Sequence, residues 1–109
     1  ICFWAGWNAK SRQDNRKLVK LYPDFRKNNI EVFGVSFDEN EIVWKGAVKL
    51  DCLPGIQGSD LKGLNAEVMK DYNLNDKLPF YCIIDKEQMI IYRDSNFGKI
   101  IEQLKLIFN

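Results

Sequence analysis

Phe3-Trp4-Ala5-Gly6-Trp7-Asn8-Ala9-Lys10-Ser11-Arg12 is the stretch on which the reading of this chain turns. Residues 1–4 (ICFW) form a short apolar run ended by Ala5-Gly6, the pattern of a central strand buried on both faces. A helix is expected over residues 9–28, because Leu18, Leu21, Tyr22 and Phe25 fall at i, i+3, i+4 and i+7 with most basic residues elsewhere. Pro23 lies inside that pattern and is expected to kink or split the helix. The stretch is thus a strand-to-helix junction.

Residues 30–37 (IEVFGVSF) are again mostly apolar, so a crossover helix joins two buried runs, which favours parallel strands in right-handed connection. Residues 38–40 can cap a helix over 41–50, with Ile42, Val43, Ala47, Val48 and Leu50 expected to face inward. Residues 51–63, rich in Gly, Pro, Ser and Asp, read as the longest irregular stretch, of the kind that often borders a site. Residues 65–72 suggest a short helix with Val68, Met69 and Tyr72 inward, and 73–77 turn into Leu78-Pro79. Residues 80–84 and 89–92 read as strands at hairpin spacing. Phe97, Ile100, Ile101, Leu104 and Phe108 form a last helical stripe after the capping candidates Ser95 and Asn96. The order βαβα, loop, α, ββ, α describes a single α/β domain over residues 1–109, a mixed central sheet with helices on both faces.

With 109 residues, 46% of them hydrophobic and 13% aromatic, the chain can bury a core without a covalent staple. The absence of histidine excludes Ser-His-Asp and Cys-His catalysis and His-ligated zinc or haem. A net charge of +1 recruits neither nucleic acid nor an anionic membrane. The basic residues between Lys10 and Lys27 outnumber Asp14 and Asp24, and such a run reads as a solvated helix face ahead of a polyanion site. No apolar run reaches the ~18 residues that span a bilayer, and no signal pattern opens the chain. Residues 1–5 already read as the middle of a strand and Ile1 is not Met, so the chain is expected to be cut from a longer protein. Cys2, Cys52 and Cys82 stand far apart with no Cys-x-x-Cys, which signals neither a disulfide framework nor a zinc site, and no metal or cofactor is expected.

The junction at residues 3–12 resembles the thioredoxin signature Phe-Trp-Ala-x-Trp-Cys-x-x-Cys-Arg, with both cysteines replaced. The segment 32–38 (VFGVSFD) is similar to that family's second core strand and its acidic end. Leu78-Pro79 running into Ile83-Ile84-Asp85-Lys86 is similar to its cis-proline strand and hairpin. Ser59-Asp60-Leu61-Lys62-Gly63 resembles the TlpA-like branch, bacterial thioredoxins of extracytoplasmic thiol chemistry. The resemblance covers nearly the whole chain and implies a thioredoxin-like fold and a location in the periplasm or cell envelope.

It also assigns the site. The family's nucleophilic thiolate sits at a helix N-terminus, where free N–H groups and the dipole lower its pKa. That seat is Asn8. The resolving cysteine comes one turn later, where Ser11 stands, and a hydroxyl cannot bridge. Asn8 remains a strong N-cap and Ser11 tolerates a first turn, so a helix start is kept while its chemistry is lost. The family's buried acid, two residues before the first Trp, corresponds to Cys2, so the proton relay is expected to be gone. Arg16 replaces a frequent helix proline. Pro79 is the retained element, expected to be cis and to leave backbone groups free for an extended peptide. Trp4 is expected to pack, while Trp7 is either rim packing or an aromatic lip.

Residues 58–63 have Gly-x-x-x-x-Gly spacing, but Leu64-Asn65 replace the Lys and Ser or Thr of a phosphate loop and no strand is expected to lead into it. Peroxiredoxins share the fold and use a cysteine near the first helix, where this chain has none, so peroxidase activity is not expected. The expectation is a redox-inactive binding or scaffold module, degenerate at Trp7, Asn8, Ser11 and Pro79, taking protein or extended peptide near Pro79 and Trp7. The alternative is a thiol-disulfide oxidoreductase using Cys52. A Cys2–Cys82 disulfide and polyanion binding by the Lys10 to Lys27 face are further options, and the oligomeric state is left open.

Overall fold

The computed structural model describes residues 1–108, and of Phe108 the backbone alone, so the apolar role expected of that side chain lies outside the described residues. The apolar opening forms β1 (Cys2–Trp4), followed by α1 (Ala9–Lys27), β2 (Phe33–Ser36), α2 (Glu41–Leu50), β3 (Ile56–Ser59) and a 3₁₀ turn (Gly63–Asn65). Then come α3 (Glu67–Asp71), β4 (Phe80–Ile84), β5 (Ile90–Asp94) and α4 (Phe97–Phe108). The strands form one sheet ordered β3-β2-β1-β4-β5. β1 is parallel to β2 and β2 to β3, while β4 runs antiparallel to both β1 and β5. This is the mixed sheet of a thioredoxin-like fold.

Two apolar layers sandwich the sheet. On one face α1 and α4 meet it through Leu18, Phe25, Tyr81, Ile83, Phe97 and Ile100. On the other, α3 and its turns contribute Ala66, Met69 and Leu74 against Phe3, Phe37 and Cys82. Side chains alternate along β1 and β4, which assigns each residue to one layer. Cys2 stands opposite Tyr81 and belongs to the α1 and α4 layer, whereas Cys82 joins Phe3 in the α3 layer. Opposite faces forbid the disulfide considered between them, and all three cysteines are free.

Several sequence expectations need correction. Residues 51–63 are not wholly irregular: β3 forms there despite Gly58, because an edge strand is held by its ladder to β2 and by Ser59 Oγ donating to Ser36 O at 2.9 Å. The Gly58 to Gly63 segment therefore does follow a strand, but it ends in a 3₁₀ turn rather than a helix that could receive phosphate. α1 is not split at Pro23, which lies on its exposed side. Of the α2 residues expected to face inward only Ala47 is buried and Val48 half-buried, with Ile42 83% and Leu50 77% exposed. Its inward stripe is Trp44, Ala47, Val48 and Asp51, spaced i, i+3, i+4 and i+7, which turns Ile42 to the opposite side. Phe33 opens β2 exposed rather than buried. The hairpin is present with its second strand shifted, since a bulge between Ile83 and Ile84 resets the register with β5.

Candidate functional site

The carboxyl end of β1 and the start of α1 are built from polar side chains used as scaffolding. Asn8 adopts an extended backbone and caps α1, its Oδ1 accepting from Ser11 N at 2.8 Å. Its own N–H donates to Ala5 O at 3.1 Å, which closes the turn. Ser11 is fully buried, and its Oγ accepts from Ala5 N at 3.3 Å. Both side chains are thus engaged in holding strand to helix.

Pro79 borders this turn. The β1–β4 ladder pairs Phe3 with Phe80, so one further residue brings Pro79 opposite Trp4. The Leu78–Pro79 peptide bond is cis. Trp4 is buried, as its strand position requires. Trp7 is 56% exposed and its indole Nε1 donates to Phe37 O at 3.4 Å, which anchors one edge of the ring and leaves the rest open. It walls a cleft of about 530 Å³ shared with Phe37, Glu39, Val43, Leu64 and Asn65. Trp7, Asn8, Ser11 and Pro79 therefore gather around the end of β1, while Cys52 is exposed just past α2.

Three carboxylates matter more than the sequence suggested. Asp38 is 1% exposed and accepts from Gly6 N at 3.0 and 2.9 Å and from the Ser36 hydroxyl at 2.5 Å. It clamps the Ala5-Gly6-Trp7 turn to the end of β2. Asp14 is wholly buried and accepts from Tyr81 OH at 2.7 Å and from Lys10 Nζ at 2.9 Å. Burial, reinforced by Asp14, pushes the Tyr81 phenol far above its ordinary range, and burial also raises the Cys2 thiol with Asp14 contributing. The loss of a buried acid inferred from Cys2 is thus corrected in part: one enters from the helix instead of the strand. Asp51 binds Arg12 in a two-pronged pair, Nη2 to Oδ1 at 3.0 Å and Nε to Oδ2, while Arg12 Nη1 donates to Gly6 O at 3.3 Å. The bond to Asp51 holds the guanidinium pKa further up. The i, i+3 spacing of Ser11 and Asp14 was the available signal for a buried Asp14. Its basic neighbours concealed it.

Among the described residues no group of acidic and cysteine side chains could hold a metal, and no helix is long and apolar enough to cross a membrane. A second cavity of about 540 Å³ lies at the opposite end of β1, lined mainly by apolar residues including Cys2, Phe25, Ile83 and Leu104.

The family described as AhpC/TSA matches residues 1–93. The chain belongs to the AhpC/TSA family. No curated protein matches this AhpC/TSA domain. Among solved structures it is similar to a thiol-disulfide oxidoreductase from Bacteroides fragilis, at 30% identity and a TM-score of 0.87 over 97% of this chain and 77% of the other. It is also similar to a thioredoxin-like protein from Parabacteroides distasonis, at 30% identity and a TM-score of 0.79, over 95% and 76% of the two chains. The thioredoxin domain of a thiol-disulfide oxidoreductase from Bacteroides vulgatus shares the fold, with 23% identity and a TM-score of 0.86 over 99% and 76%. These place the AhpC/TSA domain among thioredoxin-like thiol-disulfide oxidoreductases.

Proposed function

We propose that this domain is a redox-inactive member of its family, a module that binds protein or an extended peptide beside Trp7 and Pro79. One observation carries the reading: the seats of the dithiol hold an amide and a hydroxyl, and both are engaged in backbone hydrogen bonds that build the helix start. Disulfide exchange needs a thiolate to attack and a second sulfur to expel the mixed disulfide, and neither group supplies sulfur. The open indole of Trp7 leaves a surface beside that inert turn, and Pro79, itself buried, backs it. Location in the cell envelope rests on the resemblance to TlpA-like proteins. In the insulin-reduction assay with dithiothreitol, the domain is expected to add nothing to the rate of dithiothreitol alone. A rate near that of an ordinary thioredoxin overturns the proposal.

A second reading is favoured by one feature. Cys52 is the exposed thiol of the three, and it follows Asp51, whose partner Arg12 is the residue after Ser11. Any turnover that alkylation of Cys52 abolishes, and that Cys52→Ser lacks, would support an oxidoreductase working through that thiol. Cys82, 3% exposed, and the half-buried Cys2 are expected to react with iodoacetamide only as the protein opens.

A further inference from the structure

The cleft beside Trp7 has a chemistry of its own. Its apolar wall combines the exposed Trp7 with Val43, 46% exposed, and Leu64, 39% exposed. Its charge is of one sign, since Asp38 and Glu39 line it and no Lys or Arg does. The Asp38 carboxylate is consumed by Gly6 and Ser36. Glu39 is exposed, and among the described residues no ion pair engages it.

Glu39 also lies against a neighbouring turn. Gly63 has φ of +59°, and a Cβ there would come within 2.7 Å of Glu39 Cγ and Oε1. The Glu39 side chain therefore lies across the bare Cα of Gly63, and Gly63 N donates to Asp38 O at 3.3 Å, binding that turn to the cleft floor. The opposing positive end of α2 is blunted by the Asn40 cap on Val43 N at 3.1 Å. The result is an exposed carboxylate packed over Gly63 and a ring anchored along one edge, both lining one cleft.

We infer that this cleft takes a cationic side chain, arginine or lysine, presented by an extended peptide. The inference rests on the peptide-binding reading above and specifies its partner. Charge complementarity to Glu39 and the π face of Trp7 both select a cation, and Val43 and Leu64 suit the methylene stem such side chains carry.

The test is titration of the ¹⁵N-labelled 109-residue chain with blocked alanine pentapeptides carrying arginine, alanine or glutamate at the centre, following the Trp7 indole resonance. The arginine peptide is expected to bind with a Kd in the millimolar range, about tenfold tighter than the glutamate peptide. Glu39→Gln should weaken the arginine peptide about threefold and leave the alanine peptide unchanged. Trp7→Ala, followed through the Glu39 amide, should weaken the arginine peptide by a similar factor. Equal affinity for all three peptides, or an arginine Kd indifferent to Glu39→Gln, overturns the cationic preference while leaving the peptide-binding reading in place. No response to any peptide up to about 10 mM overturns both.

Discussion

Returning sulfur to its two seats is the sharpest test of the idea that the fold is intact and only its reagents are gone. In the double variant Asn8→Cys, Ser11→Cys, the lost cap bond from Ser11 N to Asn8 Oδ1 is worth about 1 kcal/mol. The buried Ala5 N–H exchanges a hydroxyl acceptor at 3.3 Å for a weaker sulfur, another ~1 kcal/mol. The reduced variant should therefore be about 2 kcal/mol less stable, a fall of roughly 8 °C in Tm for a domain of this length. The thiol at position 8 occupies an N-cap, so its pKa should drop below the free value of about 8.5, read from thiolate absorbance at 240 nm. Asp14, one helical turn after position 11, is wholly buried and already engaged by Lys10 and Tyr81. The reduced variant is expected to form an 8–11 disulfide under mild oxidant and to accelerate insulin reduction where the parent does not. A variant that folds, with a normal unfolding transition, yet neither forms that disulfide nor gains activity would refute the claim that replacement of two side chains is what silenced the site.

Asp38 should be the costliest single side chain at the turn. Asp38→Ala leaves Gly6 N–H and the Ser36 hydroxyl without their buried acceptor and is expected to cost about 3–5 kcal/mol in urea unfolding, with Asp38→Asn costing less because one oxygen still accepts. Equal loss in both variants would show that charge, rather than hydrogen bonding, is what the turn requires. Tyr81 makes the fold sensitive to alkali. Its phenol is harder to ionise when folded, so the stabilisation is complete below the unfolded pKa of about 10 and is lost as pH rises above it. The unfolded chain then releases a proton that the folded one keeps, which removes about 1.4 kcal/mol per pH unit. Tyr81→Phe should lower stability at neutral pH, since Asp14 loses a donor, while flattening the decline above pH 10. An unchanged alkaline slope would count against this account.

The fold was legible from residues 3–12 and from the spacing of the apolar runs, because α1, β4 and α4 carry apolar patterns strong enough to survive tertiary packing. β3 was not, since an edge strand reading Ile-Gln-Gly-Ser takes its structure from the ladder to β2 and from a side chain bonded across it rather than from its own propensity. The inward face of α2 was misread for a related reason: Ile42 and Leu50 are apolar but exposed, whereas Asp51, nearly buried, earns its place by pairing with Arg12. Sequence patterns report hydrophobicity, and a charged residue that is buried with its partner 39 positions away carries no local mark.

The same limit explains what was hidden at the site and what it now means. Asn8 and Ser11 could be read as losses from a motif, but Asp14, Asp38 and Asp51 became visible only once their partners were placed by folding. All three converge on the first turn of α1 and the loop before it: Asp38 holds Gly6, Asp51 holds Arg12, and Asp14 is paired with Lys10 and Tyr81. A burial that leaves three carboxylates in or near the interior is costly unless each is answered by hydrogen bonds, and here each is. Such a network fixes the backbone around residues 5–12 whether or not sulfur is present. On the proposed reading, a turn so clamped presents Trp7 beside Glu39 without any need for sulfur. Loosening the clamp with Asp38→Asn should therefore weaken capture of the arginine peptide even though Asp38 itself offers it no free oxygen.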